Sequence, residues 1–202
     1  MNGWDLLEGR VAPEALLQME RYCSILLEWN RAIRLVGPKD AAGIREQIVD
    51  SLLPYLLMKP SFPLLDIGSG AGLPAIPIAI LNPKADIVCL EPRAKRTSFL
   101  RHAVRALGLS AVSVVEGRAS ALDPPEGLIG KFSTVTARAV SEIETLLALA
   151  RPCLAPGGAV ILGRGGELLA PDVGGYSLVG LERYSASKNL GERFVVKYQL
   201  ES

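Results

Sequence analysis

The sequence predicts an α/β protein with a seven-stranded, mostly parallel sheet, preceded by a helical extension. Three observations support this fold class. From about residue 60 to residue 166, short apolar runs alternate with segments of helical periodicity. Residues 1–59 are helical in pattern throughout, and the last two apolar segments alternate apolar and polar residues as a hairpin does. The chain has 202 residues, enough for one such domain and a smaller appendage.

The extension, residues 1–59, is predicted to form two helices. In "PEALLQMERYCSILLEWNRAI" the apolar residues recur with a period near 3.6, and Pro13 suits a first helical turn. "VGPKD" ends that helix, and Asp40 is expected to cap a second helix from Ala41 to Leu57. Pro54 is expected to kink or divide this second helix. We therefore expect two domains, residues 1–59 and residues 60–202.

In residues 60–202 the sequence predicts five strands joined by crossover helices. The strands are expected in "LLDIG", "DIVCLE", "AVSVVEG", "FSTVTARA" and "AVILG", the last after a turn at "APGG". Helices are expected at Leu73 to Leu81, in "KRTSFLRHAVRALGL" closed by Gly108, and in "SEIETLLALARPCL". This alternation requires parallel pairing. "YSLVGLERYS" and "ERFVVKYQLE" then predict a hairpin, which makes the end of the sheet antiparallel.

Composition restricts the classes of function. The net charge of +1 favours no particular partner. The cysteines, Cys23, Cys89 and Cys153, are far apart in apolar contexts, which predicts neither a disulfide framework nor a metal site and fits a reducing cytoplasm. The single histidine, His102, is expected to be a packed or surface residue rather than a catalytic one. The longest apolar runs are too short to span a bilayer, so we expect no membrane partner. The cysteine pattern leads us to expect a cytoplasmic protein.

"DIGSGAG" is a glycine-rich turn placed at the end of the first predicted strand. Gly68, Gly70 and Gly72 allow close approach of a ligand, but Leu73 stands where the dinucleotide fingerprint has its third glycine. Asp66 lies at the end of the first strand, and Glu91 ends the second, where its carboxylate can accept hydrogen bonds from both ribose hydroxyls. S-adenosylmethionine has a ribose and no phosphate, so it fits this turn better than a dinucleotide does. A tight turn without a ligand is the alternative for each feature taken singly.

Two further segments favour the class I (Rossmann-like) methyltransferase fold. "EGRAS" follows the third predicted strand, where adenine would lie in such a site, and "LAPGGAVIL" matches the turn before the fifth strand of those enzymes. The terminal hairpin matches their antiparallel last strand. The order of all these features along one chain predicts S-adenosylmethionine as the cofactor.

Residues from about 20 to 165 resemble the bacterial GidB/RsmG family. The resemblance rests on "WNRAIRLVGPKD", "IVDSLLP", "DIGSGAGLPAIPIAI", "LEPRAKRTSFLRHAVRALGL", "VEGRAS" and "VTARAV". It implies methyl transfer to N7 of a single guanine, guanine 527 in the family, of 16S ribosomal RNA. It also implies cofactor contacts at Gly68, Leu73, Ala119, Ser120 and Arg138, with Glu91 at the ribose. Arg164 stands where the family often has a lysine.

The residues themselves fit such chemistry. Guanine N7 has an exposed lone pair and needs no base, so alignment with the methyl donor can supply most of the catalysis. Arg138 follows the fourth strand and is the predicted catalytic residue, because a charge there faces the cofactor pocket. Cys153 follows Pro152 as a C5-cytosine nucleophile would, but it lies at an apolar helix end and is expected in the core.

Basic residues should contact RNA phosphates rather than the base, because the methylated guanine is itself cationic. The candidates are Arg31, Arg34, Arg93, Lys95, Arg96 and Arg164. For residues 1–59 the alternative is that the extension only covers apolar surface of the sheet's helices. The expected partner is 16S ribosomal RNA or a small-subunit precursor, bound by a monomer. The competing functions are a methyltransferase for a small molecule or protein, a dinucleotide-binding module, and a non-enzymatic scaffold.

Overall fold

The computed structural model describes residues 3–138, 142–166, 172–187 and 190–201. Its strands are β1 (Leu64–Ile67), β2 (Ile87–Glu91), β3 (Val112–Glu116), β4 (Phe132–Ala137), β5 (Leu154–Gly165), β6 (Tyr176–Tyr184) and β7 (Arg193–Leu200). They form one sheet in the order β3-β2-β1-β4-β5-β7-β6. Strands β1 to β5 pair in parallel, and β7 is antiparallel to both neighbours. The predicted seven-stranded, mostly parallel sheet is confirmed.

The helices are α1 (Pro13–Asn30), α2 (Ala41–Met58), α3 (Ala75–Leu81), α4 (Ala94–Ala106) and α5 (Ile143–Ala150), and a 3₁₀ turn (Arg151–Cys153) leads into β5. The predicted caps of the extension are confirmed. Pro13 lies in the first turn of α1, and the Asp40 carboxylate accepts a hydrogen bond from the Gly43 amide at 2.8 Å. The predicted start of the helix before β5, Ser141, lies outside the described residues.

Helix α2 runs continuously through Pro54, so of the two expected outcomes the helix is not divided there, and a kink stays a prediction. Proline has no amide hydrogen, which leaves the carbonyl four residues earlier without its helical donor. That carbonyl belongs to Asp50, and the Tyr184 hydroxyl on β6 donates to it at 3.5 Å. A tertiary contact thus replaces the missing helical bond.

"APGG" is not a turn before β5, as predicted, but part of the strand itself. The pairing with β4 shifts between Phe132, opposite Leu154, and Thr134, opposite Ala159. The intervening residues therefore form a bulge, which their glycines permit. Gly157 has a φ of +68°, and a Cβ on Gly158 would lie 2.9 Å from the Phe132 carbonyl oxygen.

The core lies in two layers, one on each face of the sheet. One layer joins α1 and α2 to α3 and α4, with Tyr22, Leu26 and Ile44 fully buried; the other packs α5 against β4 and β5. The extension therefore does cover apolar surface of the sheet's helices. The division of the chain at residue 59 stays a prediction.

The cysteines and the histidine lie where the sequence predicted. All three cysteines are buried with free thiols, including Cys153 in the core. His102 is half-buried, with its ring 5.3 Å from that of Trp29. Within the described ranges, no helix combines the length and apolar character needed to cross a membrane.

Candidate functional site

The carboxyl ends of the parallel strands form one edge of the sheet, and the predicted site residues follow four of these strands. The strand order reverses between β1 and β4, which places the crevice of an open α/β sheet at their carboxyl ends. Asp66 lies within β1 and the glycine turn follows it, Glu91 ends β2, Ala119 and Ser120 follow β3, and Arg138 follows β4. The topology therefore brings the cofactor residues predicted from the sequence to one edge.

The glycines of the turn all have left-handed backbone conformations. The φ angles of Gly68, Gly70 and Gly72 are +71°, +55° and +79°. A Cβ on Gly72 would lie 2.5 Å from Cδ1 of Ile76, so the turn packs directly on α3. A Cβ on Gly68 would meet nothing within 4 Å, so this side of the turn is open to a ligand.

Leu73 stands in the third-glycine place of the dinucleotide fingerprint, where a glycine would allow close packing of the turn on the following helix. The structure assigns that packing to Gly72, one residue earlier, while Leu73 is a buried core residue. The missing third glycine therefore does not mean a looser turn.

Glu91 is 2% exposed and holds the glycine turn by hydrogen bonds. Its Oε2 accepts from the Gly70 amide at 2.9 Å, and its Oε1 accepts from the Arg93 amide at 3.0 Å. A carboxylate offers about four lone-pair positions, so two remain for the hydroxyls of a ribose. The same side chain thus shapes the turn and can bind a diol beside it.

Asp66 is a fully buried carboxyl group at the same crevice. Both of its carboxyl oxygens lack a hydrogen-bond partner among the described residues, and the Ser69 hydroxyl donates to the main-chain carbonyl instead. Burial raises the pKa of Asp66 to about 8, against the lowering effects of the nearby Ser69 hydroxyl and of the Arg138 charge, and the nearby Glu91 raises this pKa further. A cation placed beside it would satisfy these oxygens.

Arg96 lies over the glycine turn rather than out on the surface. Its Nη1 is 3.5 Å from the position of a Cβ on Gly70, and Glu91 Oε2 lies 4.0 Å from the same point. The sequence predicted a phosphate contact for Arg96. This placement favours a role beside the cofactor.

Arg138 forms part of a buried ion network with the helical extension. Its Nη2 donates to Oδ2 of Asp50 at 3.4 Å, while Nε of Arg193 lies 2.8 Å from Oδ1. Asp50 is 3% exposed, and burial raises its pKa although both arginines oppose that shift. The network joins α2, the end of β4 and the start of β7 at the crevice.

A hollow of about 300 Å³ opens beside this network at the ends of β4 and β5. Arg138, Arg164 and Arg193 line it together with Glu142 and the backbone of Gly163. Its place next to the crevice suits a methyl acceptor. Arg164 was predicted to contact RNA, and it is positioned at this hollow.

The other predicted residues are more scattered. Ser120 uses its hydroxyl to accept from the amides of Leu122 and Asp123, which leaves its backbone as the group available to an adenine. Arg93 and Lys95 are exposed at the start of α4. Arg31 and Arg34 lie in a separate hollow beyond the end of α1.

Sequence reasoning missed Asp50, Arg193 and Tyr22 as parts of the site. The Tyr22 hydroxyl donates to the carbonyl of Ala71 and so fixes the glycine turn from α1. Asp50 could have been found from the sequence, because it is an acid inside the apolar run "IVDSLLP". An acid among residues that are expected to be buried indicates a buried, paired carboxylate. Arg193 and Tyr22 carried no local signal.

A larger cavity, about 770 Å³, lies at the opposite edge of the sheet. Its walls come from the start of α1, the end of α2 and the segments before β2 and β3. It is remote from the carboxyl ends of the strands. It plays no part in the crevice described above.

Comparison with known proteins identifies relatives across most of the chain. Residues 15–170 match the family GidB, described as rRNA small subunit methyltransferase G. A ribosomal RNA small subunit methyltransferase G of Wolinella succinogenes is 40% identical over 158 residues, covering 77% of this chain and 78% of the relative. One from Anaeromyxobacter sp. is 35% identical over 196 residues, covering 94% and 90%.

Solved structures share the fold at low sequence identity. A SAM-dependent methyltransferase from Aquifex aeolicus has a TM-score of 0.56 and 14% identity, with 88% of this chain and 98% of that chain covered. M. jannaschii TYW2 in complex with AdoMet has a TM-score of 0.55 and 15% identity, with 77% and 76% covered. These neighbours confirm the class I methyltransferase fold.

The family match confirms the resemblance seen in the glycine turn and the segments after it, and it favours a methyl donor over a dinucleotide. It covers the crevice, the Asp50 and Arg138 members of the ion network and the helices of the extension from residue 15 onward, whereas Arg193 lies beyond the matched residues. The chain belongs to the GidB family of ribosomal RNA small subunit methyltransferases.

Proposed function

We propose that this protein transfers a methyl group from S-adenosylmethionine to N7 of a single guanine in 16S ribosomal RNA. The observation that carries the proposal is the buried Glu91, bonded to the glycine turn at the crevice, with the Arg138 hollow beside it. The names of the relatives supply the substrate class, small-subunit ribosomal RNA. The base and the atom are the more detailed part of the proposal.

The crevice residues fit S-adenosylmethionine, which supplies a methyl group already activated on a sulfonium. Glu91 has free lone pairs for the ribose, and the open side of Gly68 admits close approach. The unpartnered oxygens of Asp66 suit the cationic end of the ligand. Leu73, Ala119 and Ser120 complete the predicted set, the last through its backbone.

The acceptor hollow suits an atom that has a lone pair and needs no deprotonation. Methylation of N7 makes the guanine cationic, and bare arginines around it would oppose that change. Here the carboxylate of Asp50 offsets the charges of Arg138 and Arg193, and Glu142 lines the same hollow. The chain's task is therefore alignment in a site where two carboxylates offset part of the charge of Arg138, Arg164 and Arg193.

RNA contacts in this proposal lie around the crevice edge. Arg93 and Lys95 are exposed at the start of α4, and Arg164 lines the acceptor hollow. Their role is to bind phosphates, whereas selection of the base comes from RNA shape and an unstacked nucleotide. A ribosomal RNA substrate implies action in the cytoplasm, and the monomeric state stays a prediction.

The test is chemical mapping of the product. N7-methylguanine has a labile imidazole ring, so alkaline borohydride followed by aniline should cleave treated 16S RNA at one position. The Arg138→Ala variant should lose that cleavage almost completely, because Arg138 lies between the crevice and the hollow. If mass spectrometry places the methyl group on another atom, the assignment to N7 is wrong.

A further inference from the structure

The structure sorts the basic side chains of α1, α2 and their connection into two groups. Arg45 pairs with both carboxylate oxygens of Glu20, at 2.6 and 2.9 Å, and Arg21 donates to the Ala106 carbonyl at 3.3 Å. These two hold helices together. The second group, Arg31, Arg34 and Lys39, lies on the connection between α1 and α2 and makes no ion pair with any described residue.

Those three cations, which we call the basic hollow, line one concavity of about 310 Å³. All three side chains are exposed, and the remaining walls are apolar or amide groups without an acid. Three converging positive charges and no counter-charge make an attractive position for an anion. Two guanidinium forks favour an oxyanion such as phosphate, which they can bind in bidentate fashion.

The connection that carries the basic hollow is held in shape by Asn30. Its Nδ2 donates to the Pro38 carbonyl at 2.8 Å, and its Oδ1 accepts from the amides of Leu35 and Val36 at 2.8 and 3.0 Å. Leu35 is buried beneath it. The backbone is therefore ordered before any ligand arrives, which lowers the entropic cost of binding.

The basic hollow lies at the same edge of the sheet as the crevice. Helix α1 runs antiparallel to α4: Arg21 reaches the end of α4 at Ala106, whereas Trp29 meets Phe99 edge to face with ring centroids 5.7 Å apart. The end of α1 thus points toward the start of α4, which follows the carboxyl end of β2. An RNA strand entering the crevice can pass over both places.

We propose that the basic hollow binds a backbone phosphate of the RNA substrate at a subsite separate from the methyl-transfer site. This inference rests on the proposed function, since it takes ribosomal RNA as the substrate. The subsite fixes the position of the RNA relative to the crevice and takes no part in the chemistry. The competing explanation is that these cations only stabilise the carbonyl end of α1, whose C-cap residue is Arg31.

The experiment compares the double variant Arg31→Glu/Arg34→Glu with the control Lys84→Glu/Lys131→Glu, two exposed lysines that precede β2 and β4 and so lie at the opposite edge of the sheet. Binding of small-subunit RNA is measured by titration at several salt concentrations, separately from methyl transfer at saturating RNA. The first variant should bind RNA about tenfold or more weakly, with the salt slope reduced by about one. Its kcat, cofactor affinity and Tm should match those of the unaltered protein.

Arg31→Gln/Arg34→Gln and Lys39→Ala should show the same pattern in weaker form, which excludes repulsion by the new acids as the cause. Unchanged RNA affinity, or an equal loss in the control, would overturn the proposal. So would a fall in Tm that accounts for the whole loss, since that is the result expected of helix stabilisation. Because RNA binding is measured without methyl transfer, a failure of the N7 assignment leaves this test intact.

Discussion

Glu91 is the residue on which the cofactor assignment depends most directly. The Glu91→Ala variant loses the acceptor for the ribose hydroxyls, each hydrogen bond contributing about 0.5–1.5 kcal/mol net and more when charged. We expect the dissociation constant for S-adenosylmethionine, measured by calorimetry, to rise about tenfold or more. The control is Glu116→Ala. Glu116 lies opposite Glu91 on the neighbouring strand β3, but its carboxylate accepts a hydrogen bond from the Thr97 hydroxyl and not from the glycine turn.

The structure adds that Glu91 also binds two backbone amides, so Glu91→Ala should lose some stability. Cofactor affinity that stays unchanged in a folded Glu91→Ala protein would contradict the assignment. Affinity lost equally in both variants would point to a general disturbance of the strand ends.

Asp66 leads to a prediction about protons. Its pKa is raised to about 8 by burial, so the group is mostly protonated at pH 7 in the free protein. A cationic ligand beside it lowers that pKa again, and binding of S-adenosylmethionine should therefore release a proton near pH 7. Calorimetry in buffers of different ionisation enthalpy measures this release, which should disappear in Asp66→Asn.

The same shift affects stability. The folded protein holds a proton on Asp66 between the unfolded pKa, near 3.8, and the folded value of about 8, so the free energy of unfolding falls as pH rises through that interval. Asp66→Asn should flatten this fall. A pH profile of Tm identical in both proteins would show that Asp66 is ionised when folded.

At the scale of elements, the turn between β1 and α3 combines two separate requirements. Gly72 is needed for packing on α3, whereas Gly68 faces open space on the ligand side. Both have positive φ angles, so alanine costs about 1–2 kcal/mol at either position. Gly72→Ala also forces a methyl group into Ile76, which adds about 1–3 kcal/mol.

We therefore expect chemical denaturation to show a clearly larger loss of stability in Gly72→Ala than in Gly68→Ala. Cofactor affinity should show the opposite order once each loss is compared with the stability lost: Gly68→Ala should weaken cofactor binding more than Gly72→Ala does, because only Gly68 has its open side toward the ligand. Equal losses of stability would mean that α3 moves away from the turn at little cost.

At the scale of the whole molecule, Asp50 ties the extension to the main domain. Its carboxylate lies between Arg138 and Arg193, and its carbonyl accepts from Tyr184. Removing one partner of a buried ion network costs about 3–5 kcal/mol, because the remaining charges lose their compensation. Because Arg138 and Arg193 are 27% and 21% exposed and burial opposes the charge of Asp50, we expect Asp50→Asn to lower the free energy of unfolding by about 1–3 kcal/mol and to lower kcat through a displaced Arg138.

The control is Glu192→Ala, which breaks an exposed pair with Arg183 and should cost about 0–1 kcal/mol. Chemical denaturation and methyl transfer measured on both variants decide the matter. A stable Asp50→Asn protein with full activity would show that the network does not position Arg138.

The sequence by itself determined the sheet, the glycine turn and the acid one strand later. Those features are local: apolar runs and glycines mark strands and turns, and parallel topology then brings the strand ends to one edge. Gly68, Glu91 and Arg138 could be assigned to one crevice on these grounds alone. A division of α2 at Pro54 and a turn at "APGG" were wrong, because Tyr184 supplies a donor to the Asp50 carbonyl and because pairing with β4 draws "APGG" into the strand.

Only the tertiary structure decided which charges are already paired. Asp50 and Arg138 are 88 residues apart, and no local pattern indicates that they meet. Arg21 and Arg45 bind groups on neighbouring helices. Arg31 and Arg34 are equally basic in the sequence, but they line the basic hollow and form no ion pair with a described residue. The physical reason is that the energy of a charge depends on its burial and its neighbours, which the folded chain alone defines.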